Sequence, residues 1–397
     1  MRGRQVTQLD GSLRDRPTRT LALRQAAESR SAQPVLWLVP ALAVFVVARA
    51  VGFGATLLAS HLWGHGPQPV IEGGDGQWYL LIAQRGYGEL WRTPALHLLI
   101  AFFPGYPALV RPLLAFLTPV WAGMVVTWVM GLAAAGLIAA LVRRWVGTPA
   151  ALFTVALWAV QPAAFVLDHP YSEATFTCFS AACLYCIDRR WWWSAGTFAA
   201  LAGATRPTGL VLVPVCAVAA AAALWRHREW TALLAPLLSP LGTVGFEVYL
   251  WWLTGRWDSS LVAARVGWHT GFDWGHGNLS WLLNHRHDLS PYTEWQLWLV
   301  PLMSAVVLLG VAGALRLRLP APALVYVLGL LVLVWSIDGQ YSSIPRYLLP
   351  AFPALVPYAA VFSRLPAVGG AVWMLSLGLM VGYGLVYFVI QAPGFAP

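Results

Sequence analysis

Lysine is absent from this chain of 397 residues; all 25 of its basic residues are arginine. Charge of either sign is scarce, at 10% of residues, where a soluble domain carries about 25%. That scarcity excludes an ordinary water-soluble domain, and a mean hydropathy of +0.64 points the same way. A formal charge of +9 would suit nucleic acid if the arginines formed a groove interleaved with aromatics. They occur instead as small clusters between apolar runs, so no nucleic-acid partner is expected. Cysteine is sparse too. Cys178, Cys183, Cys186 and Cys216 lie in apolar stretches and read as small buried hydrophobes rather than a disulfide framework or a metal site.

What is present is apolar sequence, 59% of the chain, in runs of membrane-spanning length. In hydrocarbon the backbone must satisfy its own hydrogen bonds, so repeated runs of this kind mean a bundle of helices. Candidate spans are 36–60, 121–142, 150–167, 172–187, 192–205, 208–225, 231–253, 295–315, 320–337, 347–362 and 366–390, about eleven in all. Residues 1–34 hold seven arginines against three acids and lack the short apolar core of a signal peptide. They are expected to be a disordered basic cytoplasmic tail, with 35–397 forming one multi-span transmembrane domain.

Arginines then orient the spans. Arg143 with Arg144, Arg189 with Arg190, Arg226 with Arg228, Arg316 with Arg318, and Arg364 sit in short loops, which the positive-inside rule places in the cytoplasm. Segments 61–120, 168–171, 254–294 and 338–346 then share the opposite side. Residues 96–117, "LHLLIAFFPGYPALVRPLLAFL", contain three prolines and Arg111. They read as a broken or interfacial outer segment, the alternative being a full crossing. Asp75, Asp168, Glu173, Asp273, Asp288, Glu294 and Asp338 all fall on or near the outer face, which suggests a polar site there.

Four stretches carry groups able to do chemistry. In "GGDGQWYLLIAQRGYG", residues 73–88, glycines surround Asp75 and allow a sharp turn and close approach to a ligand. The residues after Gln77 form a short amphipathic helix suited to the membrane interface. Asp75 is either a carboxylate held at the membrane surface for use or a plain loop acid. In "LDHPYSEATF", residues 167–176, Asp168, His169, Ser172 and Glu173 are compressed between two apolar helices. An ionisable group at a span mouth suggests a site, although Glu173 would also suit a helix first turn. Arg206 in "GATRPTGL" and Arg346 in "SIPRYLLPAFP" lie opposite the cytoplasmic clusters, so topology does not account for them. A guanidinium so placed suits a phosphate through its planar fork; a carboxylate such as Asp338 or a lipid headgroup are the other partners available. In the 254–294 loop, His285, His287 and Asp288 could hold a metal, but their spacing matches no closed site.

Taken in order, "GGDGQWYLLIAQRGYG", "AFFPGYPALVRPL", "HPYSEATF", "WSAGTFAALAGATRPTGLVLVP" and "SIPRYLLPAFP" span residues 73–353. Together they resemble the PIG-V-type mannosyltransferase family of the glycosyltransferase-C class. The resemblance implies an all-α, polytopic glycosyltransferase-C-like helix bundle whose outer-face loop carries interfacial amphipathic helices. It also implies a polyprenyl-phosphate sugar donor, most often the mannose conjugate, inversion at the anomeric carbon, and catalysis on the extracytoplasmic face of the cell membrane. The family's essential first-loop aspartate matches Asp75, its Tyr-x-Glu element Tyr171 and Glu173, and its Arg-Tyr element Arg346 and Tyr347. Where the family usually has Trp with an aromatic or basic residue before the aspartate, this chain has Gly73 and Gly74.

The function expected is therefore an inverting transfer of a hexose, mannose foremost, to a lipid, glycan or protein acceptor. Asp75 is the expected general base, with Glu173 and Asp168 as supporting or acceptor-side carboxylates. Arg206 and Arg346 hold the phosphate, and Tyr347, Tyr171, Trp78, Tyr79 and His169 complete the substrate-binding set. No cofactor is expected, though a divalent metal is compatible with the chemistry. The rival from another class is a transporter or flippase of lipid-linked sugars, which would also have broken helices and intramembrane charges.

Overall fold

A computed structural model of the chain describes residues 36–62, 64, 67–285 and 291–387. The tail at 1–34 lies outside the described residues. Twelve described helices have ten or more residues: α1 Val39–Leu62, α2 Asp75–Arg85, α3 Pro119–Val146, α4 Thr148–Ala159, α5 Glu173–Asp188, α6 Trp192–Thr205, α7 Leu212–His227, α8 Leu241–Thr254, α9 Ser259–Trp268, α10 Pro291–Arg316, α11 Ala321–Trp335 and α12 Pro366–Leu385. Prolines stand at the first turns of α3, α4, α11 and α12, where a missing N–H costs nothing because that amide has no partner within the helix. The only strand pairing among the described residues is two residues deep, Gly271–Phe272 against Ile337–Asp338, antiparallel.

The eleven expected spans are too many by the measure of continuous helix. Six described helical stretches are long and apolar enough to cross a membrane: Leu36–Leu62, Pro119–Val146, Pro207–His227, Trp230–Thr254, Glu294–Arg316 and Pro366–Leu385. A seventh exists if Thr148–Ala159 and Pro162–Asp168 count as one span, but they are bent by 78° at their junction. Proline explains the shortfall. Pro162 opens a new turn after α4, and Pro353 and Pro357 open the second and third of three short helical pieces within 344–362. With 16 and 14 residues, α5 and α6 fall short of the roughly 20 residues that a bilayer core requires. The 96–117 stretch is also broken, into His97–Ala101, Gly105–Val110 and Arg111–Ala115, none of them long enough to cross.

The bundle has two chemically distinct ends. At the far ends of α3 and α5, Arg144 pairs with Asp188, and Arg190 lies 3.7 Å from Glu229, which also accepts a 2.7 Å hydrogen bond from Trp192 Nε1. Arg143 stacks on Trp37 at 4.2 Å. So the two acids that the sequence places on the arginine-rich face, Asp188 and Glu229, are each neutralised by an arginine. Glu173 and Arg206 stand at the other ends of α5 and α6, a separation of about 24 Å along α5 at 1.5 Å per residue.

Close helix approach holds the middle together, as is usual where small residues line membrane interfaces. A Cβ on Gly242 of α8 would lie 1.7 Å from the carbonyl oxygen of Ala200 in α6, whereas one on Gly245 would meet nothing within 4 Å. Gly242→Ala is therefore expected to lose about 1–3 kcal/mol to overpacking and Gly245→Ala almost nothing. Thermal unfolding of the two variants in detergent checks this, and equal Tm values would refute the contact.

Candidate functional site

Asp75 opens α2, where the unpaired amides of a helix N-terminus favour a carboxylate. The turn before it depends on glycine. Gly74 has φ of +62°, and a Cβ there would come within 2.2 Å of the Tyr171 hydroxyl. That hydroxyl accepts from the Asp75 amide at 3.0 Å and donates to the Gly73 carbonyl at 3.2 Å. Gly74 thus makes room for a tyrosine that ties the first loop to the 168–173 segment. Tyr171→Phe is expected to cost about 1 kcal/mol, the usual net worth of a hydrogen bond. A denaturation curve matching wild type would show that the hydroxyl does not hold the turn.

Glu173 opens α5 in the same manner, after Pro170 has broken the chain. Arg206 follows α6 in extended backbone, φ −152° and ψ 147°, the conformation that a following proline favours. Arg346 sits in the short helix Ile344–Leu348. These four charged residues, from four separate segments, meet. Arg346 Nη1 lies 2.6 Å from Asp75 Oδ2, and its Nε lies 3.2 Å from Glu173 Oε1. Arg206 Nη1 lies 2.7 Å from the same Glu173 oxygen. The expected alternative partner of the arginines, Asp338, is instead part of the strand pair with Gly271.

Aromatic and hydroxyl groups frame the quartet. Arg206 stacks over Tyr347 at 4.8 Å, and Arg346 over Tyr171 and Tyr347 at 5.2 and 5.3 Å. The Tyr347 hydroxyl donates to Gln340 Oε1 at 3.0 Å. Ser172 Oγ receives Arg206 Nη1 at 2.9 Å and shares a 2.9 Å hydrogen bond with the Tyr79 hydroxyl. Burial, the largest influence on Tyr79, raises its phenol above the ordinary value, so it stays neutral. Tyr79 therefore does not lie in the headgroup layer: its ring packs inward against Phe102 and Tyr106.

Exposure within the quartet is uneven. The side chains of Glu173, Arg346 and Arg206 are 1%, 7% and 9% exposed, and that of Asp75 is 25% exposed. Asp75 is the member a second substrate could reach. The short distances also leave hydrogen-bonding capacity unused: both Glu173 carboxylate oxygens and Nε and Nη1 of Arg346 are buried without an aligned hydrogen-bond partner. Charge pairing at these distances is what satisfies the buried atoms.

Three of the sequence-predicted residues stand apart from this cluster. Asp168, 1% exposed, pairs with Arg49 at 3.0 Å. His169 is fully buried and its Nδ1 lies 3.1 Å from the Phe165 carbonyl oxygen. Trp78 faces a cavity on the other side of α2. Sequence reasoning missed Arg49 and gave Ser172 no role; an arginine inside an otherwise apolar span is the signal that could have found the first. The His285, His287 and Asp288 set lies largely outside the described residues. Among the described residues no group of three or more His, Cys, Asp or Glu could hold a metal ion. All four cysteines are buried free thiols.

No family model matches the sequence, and no curated protein matches it. Solved structures do. The crystal structure of ArnT from Cupriavidus metallidurans bound to undecaprenyl phosphate superposes with a TM-score of 0.53 at 16% identity, over 89% of this chain and 65% of that one. The same protein in the apo state gives 0.51 at 17% identity, over 93% of this chain and 66% of that one. The chain thus spans about 65% of the length of the structures it matches. The likeness establishes a shared fold, an all-α helix bundle with several helices long and apolar enough to cross a membrane.

Proposed function

We propose that this chain is an inverting glycosyltransferase that takes a hexose, mannose foremost, from a polyprenyl-phosphate donor. What carries the reading is the buried quartet: two arginines from separate segments converge on two carboxylates, of which Asp75 is the more exposed. The PIG-V-type sequence blocks and a fold shared with a protein crystallised with undecaprenyl phosphate support the choice of donor. The arginine-rich loops, read by the positive-inside rule, support a site on the extracytoplasmic face and an N-terminus in the cytoplasm.

In this chemistry the donor phosphate enters opposite Arg346 and Arg206 and takes up part of their hydrogen bonding, displacing Asp75 from Arg346. The acceptor hydroxyl attacks the anomeric carbon on the face away from the phosphate. The bond from that carbon to the phosphate oxygen breaks, and the electron pair leaves with the polyprenyl phosphate. The guanidiniums stabilise the charge that grows there, and Asp75 accepts the hydroxyl proton. Glu173 keeps both arginines aimed at one place, with Tyr171 and Tyr347 stacked on their planes. Asp168 acts at a distance, as a support for the segment that carries Tyr171 and Glu173.

Reconstitution tests the reading against a lipid-linked sugar flippase. Proteoliposomes carrying radiolabelled polyprenyl-phosphate-mannose and extracted membrane acceptors are expected to yield labelled glycosylated product. Label that crosses the bilayer still attached to its polyprenyl carrier, with no transfer, would favour the flippase instead.

A further inference from the structure

Arg206 and Arg346 meet the same glutamate but commit their donors differently. Arg346 commits all three nitrogens to the protein: Nε toward Glu173, Nη1 toward Asp75 and Nη2 to Ser343 Oγ at 3.4 Å. Arg206 commits one. Its Nη1 serves Glu173 Oε1 at 2.7 Å and Ser172 Oγ at 2.9 Å. Among the described residues, its Nε and Nη2 have no hydrogen-bond or ion-pair partner. Those two nitrogens form one edge of the guanidinium plane, and their parallel N–H groups match two oxygens of a phosphate.

Which edge stays open depends on how the side chain is held. The backbone is fixed to the end of α6: the Arg206 amide donates to the Ala202 carbonyl at 3.1 Å, and Gly209 closes the next turn onto the Arg206 carbonyl at 2.9 Å. A Cβ on Gly209 would lie 2.5 Å from the Gly203 backbone, so that turn sits tight against the helix. The Tyr347 ring, 4.8 Å below the guanidinium, sets the tilt of the plane but leaves it free to rotate over the ring. Glu173 Oε1 alone is a single point about which it can pivot. Ser172 Oγ is a second point on the same nitrogen, and it removes the pivot.

The serine hydroxyl is itself held. Ser172 is fully buried, and its Oγ shares a 2.9 Å hydrogen bond with the Tyr79 hydroxyl. Tyr79 is wedged between Phe102 and Tyr106 at 5.0 and 5.4 Å, and the Tyr106 hydroxyl is anchored on the Gly123 carbonyl at 2.9 Å. Tyr79 also stands four residues after Asp75 on α2, so the two share a helix face one turn apart. The carboxylate and the open guanidinium edge are thereby referenced to one rigid element.

We infer that Ser172 and Tyr79 are positioning residues for the donor, holding Arg206 by Nη1 so that its Nε–Nη2 edge is kept for the phosphate. The inference rests on the transferase reading and deepens it by dividing the work of the arginines. Arg206 offers its fork before the donor arrives, whereas Arg346 turns to the phosphate only as Asp75 leaves it. Donors set in place in advance need no reorganisation when the leaving group gains charge.

Binding measured apart from transfer tests this. Full-length protein in nanodiscs is titrated with tritiated farnesyl phosphate, a short polyprenyl phosphate without sugar, and unlabelled farnesol is the control competitor. Ser172→Ala removes a hydrogen bond to a charged group and is expected to weaken binding about tenfold, and Tyr79→Phe about threefold. Each variant is measured after eluting as a monodisperse species, and the two lie on different helices, so misfolding of one leaves the other. In an Arg206→Gln background, Ser172→Ala is expected to change nothing further, because it acts only through the arginine. Wild-type affinity in both single variants would overturn the inference. So would the same tenfold loss in the Arg206→Gln background, which would make Ser172 a general support of the fold, or competition by farnesol equal to that by farnesyl phosphate. In transfer assays the loss should appear in KM for the donor more than in kcat. Binding as expected with no transfer from any polyprenyl-phosphate sugar would leave the pair standing and remove the reading beneath it.

Discussion

Asp75→Asn is expected to lower sugar transfer by about 10²–10⁴-fold, the usual contribution of a positioned general base. The amide keeps the shape of the side chain but cannot take a proton from the acceptor. Donor binding should survive, because Asp75 competes with the phosphate for Arg346, from which it lies 2.6 Å. Removing that competitor is expected to leave KM for the donor unchanged or lower while kcat falls. Arg346→Lys should raise KM as well as lower kcat, since an ammonium cannot reproduce the forked contact. Steady-state transfer measured across donor concentrations separates the two patterns. Substantial turnover by Asp75→Asn would remove Asp75 as the base, and a loss confined to KM would reassign it to donor binding.

A second large effect is expected far from the reacting atoms. Arg49, 5% exposed in the middle of α1, pairs with Asp168 and donates to the Ala164 carbonyl at 2.5 Å and to that of Ala159. Those carbonyls flank the 78° bend between α4 and the Pro162–Asp168 turn, where the helical hydrogen-bond ladder is interrupted and helix-end carbonyls need other donors. Arg49→Met removes the donors and leaves a buried carboxylate unpaired, a change that costs about 3–5 kcal/mol. The double variant Arg49→Met/Asp168→Asn should recover part of the loss, since the stranded charge is gone while the carbonyls remain bare. Thermal denaturation in detergent reads both. A double variant no more stable than the single one would mean that the carbonyl contacts, not the ion pair, hold the bend. Transfer should fall along with stability, because Tyr171, Ser172 and Glu173 follow directly from this turn.

The helix bundle was legible in the sequence because hydrocarbon leaves the backbone few options, and the arginine loops marked one end of it. Four charged residues that the structure brings together, Asp75, Glu173, Arg206 and Arg346, were legible for a related reason: each is charged at the edge of an apolar run, where packing alone does not call for it, whereas Tyr171 and Tyr347 were read from the resemblance. Span number was less legible. Hydropathy records where apolar residues lie but not where Pro162 or Pro353 interrupts the ladder, so short and bent helices counted as crossings. The pairings within the site were hidden as well. Asp168 and Glu173 lie five residues apart with the same charge, yet one meets Arg49 and the other Arg206 and Arg346. Only the packing of α1 against the bend separates them. Trp78 was assigned to the same site as Tyr79 because they are neighbours in sequence, but on a helix neighbours point about 100° apart, and this pair faces opposite sides of α2.

Two guanidiniums and two carboxylates make the resting site neutral, which has a consequence for turnover on the chemistry proposed here. A bound phosphodiester brings the total to one negative charge. Transfer leaves the total the same, since the extra charge on the departing phosphate is matched by the proton now on Asp75. When Asp75 gives that proton to solvent, the site holds a phosphate of about −1.5 to −2 charge, like that of a phosphorylated side chain, beside the restored Asp75 carboxylate and Glu173. Repulsion from the carboxylates is then greater on the spent carrier than on the singly charged fresh donor. The same carboxylate that starts the reaction would thus help to clear the site for the next round.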